Sequence, residues 1–159
     1  MPEITGRLRP VGRVGIVVSR YNQVITDKLL AGAQACCRDA GMSSDQVDVL
    51  WTAGAFELST ACAAAAASGR YACLVAIGAV IRGETPHFDF VAGAASTGLN
   101  RVSIDWKIPI GFGVLTVDSL PQATARSGGT AGNKGYEAAE SAIQLADALQ
   151  TLASLDAQD

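Results

Sequence analysis

A doubly wound α/β domain, one parallel sheet between two layers of helices, is the fold the sequence predicts. Three observations carry that reading. Apolar runs rich in Val and Ile, at 14–18, 47–51, 74–81 and 108–117, alternate with longer segments of helical spacing. The run at 74–81, LVAIGAVI, is unbroken, as a parallel strand covered on both faces must be. Helix-start and helix-stop residues bracket the intervening segments. Strand–helix alternation at this spacing gives βαβ units, right-handed crossovers and a three-layer domain.

Residues 1–11, with Pro2, Gly6 and Pro10, read as a loose arm. VGIVV at 14–18 is the first strand and ends at Ser19-Arg20-Tyr21-Asn22. Asn22 is a fair N-cap for a helix that runs to about residue 40 and stops at Gly41. Ile25, Leu29, Ala33, Cys36 and Ala40 share one face of it and turn to the sheet. The second strand, 47–51, leads through Gly54-Ala55-Phe56-Glu57-Leu58 into an alanine-rich helix over about 56–67, ended by Gly69. The third strand, 74–81, stops at Arg82-Gly83. Thr85 as N-cap and Pro86 at the first helical position then open a helix to about residue 105. The fourth strand covers 108–117, with Pro109 near its start, where an edge strand tolerates it. Ser119 caps a short helix through Arg126, Gly128-Gly129 breaks it, and a last helix runs over about 133–152. The polar tail 153–159 reads as frayed. The pattern is flavodoxin-like and a single domain, with no internal repeat and no linker.

Composition narrows the function classes. A net charge of −3 argues against a nucleic-acid surface. No stretch reads as a signal peptide or a membrane span, which points to the cytoplasm. Cys36, Cys37, Cys62 and Cys73 form no CxxC and no metal spacing with the single histidine, so they read as core residues. Neither GxGxxG after the first strand nor GxxxxGK[ST] is present, which weakens a dinucleotide or triphosphate reading. Only 17% of residues are charged, against roughly a quarter in typical soluble domains. So charge-poor and alanine-rich a chain buries surface against copies of itself; an alanine-rich monomer is the alternative.

The first three strands end at Tyr21-Asn22, 54–57 and 81–87, and in an open parallel sheet these ends share one edge. The loops there converge two rings (Tyr21, Phe56), an amide (Asn22), a carboxylate (Glu57), a helix start at Thr85 and His87, the chain's one histidine. A flat polar heterocycle stacks on such rings, a helix start takes phosphate, and histidine carries protons near neutral pH. Each has a plainer reading: Phe56 as core, Glu57 as a first-turn dipole partner, Tyr21 as a half-buried loop ring, His87 as a helix-start residue without chemistry. Arg126 suits a helix C-terminus and Lys134 a solvated surface. The convergence, more than any one residue, argues for a site.

GAVIRGETPHFDFV at 78–91 resembles the signature of the 6,7-dimethyl-8-ribityllumazine synthase family of riboflavin biosynthesis. SRYN at 19–22, GAFEL at 54–58, FGVLT at 112–116 and AGNKG at 131–135 follow in the family's order, so the resemblance spans about 14–146. It implies strand order 2-1-3-4 and an arm that extends a neighbour's sheet. The implied reaction joins 5-amino-6-ribitylaminouracil to 3,4-dihydroxy-2-butanone 4-phosphate, with no metal and no cofactor. His87 becomes the proton carrier. Tyr21, Asn22, Ala55, Phe56, Glu57, Val80, Ile81, Arg82, Phe112 and Lys134 become contacts to the pyrimidinedione and ribityl chain, and Glu84, Thr85 and Arg126 contacts to the phosphate. Phe112, Arg126 and Lys134 would come from a neighbouring subunit. Chain geometry agrees for Arg126, which a helix of eight residues carries roughly 12 Å away from the edge where His87 stands.

The implied assembly is a homopentamer, or an icosahedral shell of pentamers with riboflavin synthase as a possible partner; the absence of an insertion at 128–133 leans towards the shell. Ala53 and Ser59 stand where the family usually has proline, which loosens the second loop. An inactive shell-forming relative and a flavin-binding carrier are the competing classes. The first would let the site residues drift, yet all are filled. The second wants a phosphate cradle that SRYNQV lacks.

Overall fold

The computed structural model describes residues 2–158. Strands β1 (Val14–Ser19), β2 (Val47–Thr52), β3 (Cys73–Ile81) and β4 (Ile110–Val117) form one parallel sheet in the order β2-β1-β3-β4. Helices α1 (Gln23–Asp39), α2 (Leu58–Ala67), α3 (His87–Trp106), α4 (Leu120–Arg126) and α5 (Lys134–Asp156) connect and cover it. The predicted class and order are those observed.

Strands β1, β3 and β4 each feed two cores, because successive side chains leave opposite faces of the sheet. Ile16 and Val18 of β1 enter the layer under α1 and α5, with Leu29, Ala33, Cys36 and Ile143. Val17 enters the layer under α2 and α3, with Leu58, Cys62, Leu99 and Val102. All five residues assigned to the inner face of α1 are buried. The four thiols are buried and unpaired. Burial pushes Cys36, Cys62 and Cys73 up to about 12 and Cys37 to about 11, so they stay protonated and inert at neutral pH.

Helix boundaries differ from expectation in ways the residues explain. Asn22 is not a side-chain cap: it sits in the left-handed region (φ 61°), and its Nδ2 donates to the Ala79 carbonyl at 2.8 Å. The alanine-rich helix is split, a 3-10 turn at Ala55–Glu57 preceding α2. Helix α3 starts at His87, one residue after Pro86, and Thr85 Oγ1 accepts from the His87 N–H at 3.4 Å. Pro109 lies just outside β4, where its missing N–H breaks no ladder. A small hairpin, β5 (Ser127–Gly129) with β6 (Gly132–Asn133), occupies the expected glycine break. The supposedly frayed tail is helical as far as Asp156. No breaker falls between Leu152 and Asp156, and Leu and Ala favour helix, so polarity alone does not end it.

The arm has no regular structure of its own among residues 2–13. It crosses α5 of the same chain. The Arg7 N–H donates to buried Asp147 at 2.7 Å, Arg9 Nε pairs with the same carboxylate, and Gln150 Nε2 donates to the Val11 carbonyl at 2.7 Å. Gly6 lies so close to the Gln144 carbonyl that a Cβ there would collide with it. Strand β2 is the outer strand on its side of the sheet, with Leu50 49% exposed.

Candidate active site

The register of the sheet creates the site. Val18 of β1 pairs with Ile77 of β3, after which β1 leaves for α1 while β3 continues to Ile81 beside β4. The connections that leave these neighbouring strands, to α1 and to α3, depart to opposite faces here, the switch point at which open α/β sheets leave a crevice. A cleft of about 760 Å³ fills it, floored by Ala79, Val80 and Ile81.

The first two loops are pinned together. Tyr21 N–H donates to the Ala53 carbonyl at 3.0 Å, and Thr52 Oγ1 to the Gly54 carbonyl at 3.0 Å. Ala53 in place of a proline therefore leaves this loop tied to its neighbour. Glu57 Oε2 accepts the Gly54 N–H at 3.2 Å, which closes the 3-10 turn and fixes the carboxylate at the rim. Tyr21 and Phe56 line the cleft while 74% and 62% exposed, so both rings keep surface for a ligand. Gly83, Thr85 and His87 close the third side.

Of the residues singled out from sequence, Tyr21, Ala55, Phe56, Glu57, Val80, Ile81, Thr85 and His87 line this one cleft. Others are placed elsewhere. Asn22 spends its amide N–H on the β3 backbone. Arg82 turns to Asp118 and Asp89. Glu84 is exposed on the loop outside the lining. Phe112 lines a second, smaller hollow of about 260 Å³ between α3 and β4, with Ser96, Asn100 and Ser103. Arg126 donates to the Gln122 carbonyl of its own helix, and Lys134 pairs with Glu137 at 3.1 Å. Among the described residues no lysine or arginine lines the cleft.

Phe88, Phe90 and Val91 complete the wall and were missed by sequence reasoning. Their signal was available: they follow His87 in the first turns of a helix whose start was assigned to the site.

The sequence from the end of the arm to the last turns of α5 matches one family model, 6,7-dimethyl-8-ribityllumazine synthase, over residues 12–150. The chain belongs to that family. Lumazine synthase membership places it in riboflavin biosynthesis. Every cleft residue falls inside the matched span, whereas most of the arm precedes it. No helix among the described residues is long and apolar enough to cross a membrane.

Proposed function

We propose that the protein condenses 5-amino-6-ribitylaminouracil with 3,4-dihydroxy-2-butanone 4-phosphate to give 6,7-dimethyl-8-ribityllumazine. The observation that carries this reading is a family match whose span contains a switch-point cleft with two open aromatic rings beside His87. The pyrimidinedione stacks on Tyr21 and against Phe56, with Glu57 and the β3 backbone reading its polar edge. Offset stacking adds about 0.5–1.5 kcal/mol to the burial. The four-carbon phosphate lies at Gly83–Thr85, at the start of α3, where free N–H groups favour an anion.

The uracil's 5-amino nitrogen attacks the ketone, and water leaves as the imine forms. Loss of a proton and expulsion of phosphate give an enol that becomes the second carbonyl. The ribitylamino nitrogen closes the ring on it with loss of a second water. Every step moves a proton, and His87 at the cleft wall takes and returns it. Holding the two substrates together supplies the larger part, up to about 7–11 kcal/mol of the barrier.

The phosphate needs a cation, and the cleft's own chain brings none to it among the described residues. We infer that Arg126 of an adjacent copy supplies it, with Lys134 and Phe112 of that copy against the pyrimidinedione and ribityl chain. The protein is then a homopentamer with a shared site at each interface, working in the cytoplasm. Purified protein mixed with both substrates should produce lumazine absorbance and inorganic phosphate in equal amounts. Phosphate release without lumazine, or neither, would refute the reading.

A further inference from the structure

Arg82 is drawn towards the substrate by its place in the sequence, between cleft residues Ile81 and Gly83. Its side chain goes the other way. Nε pairs with Asp118 at 3.0 Å, at the corner between β4 and α4, and the guanidinium also reaches Asp89 in the first turn of α3 at 3.5 Å. It lies over the ring of Phe88, 4.2 Å from the centroid. The Arg82 N–H meanwhile donates to the Val117 carbonyl at 2.8 Å, extending the β3–β4 ladder by one residue. One cation thus ties together the end of β3, the start of α3 and the entrance to α4.

What it ties matters. The loop from Gly83 to Pro86 is exposed and carries Thr85, while Phe88 is a wall of the cleft. Asp118 in turn donates its N–H to Gln122 Oε1 at 2.7 Å, inside the helix that ends at Arg126. We propose that Arg82 is a positioning residue: through Asp118 and Phe88 it fixes the phosphate loop and the His87 helix start relative to α4. This rests on the synthase reading for what the loop binds, but the coupling itself is a property of the fold. A single exposed ion pair shifts an equilibrium only a fewfold. Here two ion pairs and a cation–π contact act on one short loop, so the combined effect on the loop is roughly three- to tenfold.

The test compares Arg82→Gln, Asp118→Asn and the double variant in the full-length protein. Arg82→Gln should raise KM for the four-carbon phosphate by roughly three- to tenfold; Asp118→Asn, which leaves the Asp89 and Phe88 contacts, should raise it by a smaller factor, and the double variant should be no worse than Arg82→Gln. KM for the pyrimidine should stay within about twofold. Amide hydrogen exchange across 83–89 should quicken in both, and more in Arg82→Gln. If Asp118→Asn lowers or spares that KM while Arg82→Gln raises it, Arg82 touches the phosphate itself and the proposal is wrong. Additive effects, or unchanged exchange in both variants, also overturn it. A parent protein that makes no lumazine refutes the synthase reading alone. Quickened exchange in both variants would then still sustain the coupling, and its absence would end it.

Discussion

His87 begins α3 with its backbone N–H taken by Thr85 and its ring at the wall of the cleft. Replacing it with alanine removes one proton-transfer contribution and leaves the positioned pair of substrates. His87→Ala should therefore keep fold and assembly while turnover falls by roughly ten- to a thousandfold. A pH–rate profile identical to that of the parent would remove His87 from the mechanism. Arg126→Lys exchanges a two-pronged donor for a point charge, so KM for the four-carbon phosphate should rise far more than that for the pyrimidine. Calorimetric titration with inorganic phosphate reads this directly, and equal affinity in both proteins would place the phosphate on the α3 start alone. Residue identities were legible where side chains do one thing at one edge, as with Tyr21, Phe56, Glu57 and His87. They were illegible where a side chain has two possible partners. Asn22 binds the β3 backbone and Arg82 binds Asp118, and neither partner is near in sequence.

At the scale of elements, strands and long helices followed from periodicity, whereas terminations did not. The β5–β6 hairpin is too short to show alternation, and α5 outlasts its apolar pattern because no breaker intervenes. Its seat is tight. A Cβ at Gly135 would run into the Leu29 carbonyl of α1, so Gly135→Ala must push two helices apart. The expected cost is about 1–3 kcal/mol, seen as a lowered urea midpoint at unchanged slope. One carboxylate, Asp147, takes two of the arm's contacts to α5. The Arg7 N–H first, and the Arg9 guanidinium with it, keep Asp147 below the usual carboxylate range. A depressed carboxylate contributes stability that is fully present above its unfolded value and is lost as pH falls through its folded one. Asp147→Asn should accordingly melt below the parent at pH 7. The gap should close as the medium is acidified below about pH 4. A gap that persists undiminished in acid would mean that the charge of Asp147 is not what holds the arm.

At the scale of the whole molecule, the proposed site is divided. Its rings, its carboxylate and His87 stand at the carboxyl edge of the sheet, and Arg126, the cation proposed for the phosphate, stands at the last residue of α4, bonded to its own helix. The rings of Tyr21, Phe56, Phe90 and Phe112 are exposed, apolar surface of the kind the proposed second chain would cover. The low charge of the sequence pointed to such an assembly, though a single chain cannot display it. The most direct measurement mixes two chains that are each inactive, His87→Ala and Arg126→Ala, after dissociation and reassembly. If each site draws His87 from one copy and Arg126 from the next, some interfaces in mixed rings hold both intact, and lumazine formation returns to a substantial fraction of the parent. Mixed rings that assemble and stay inactive would contradict the shared site.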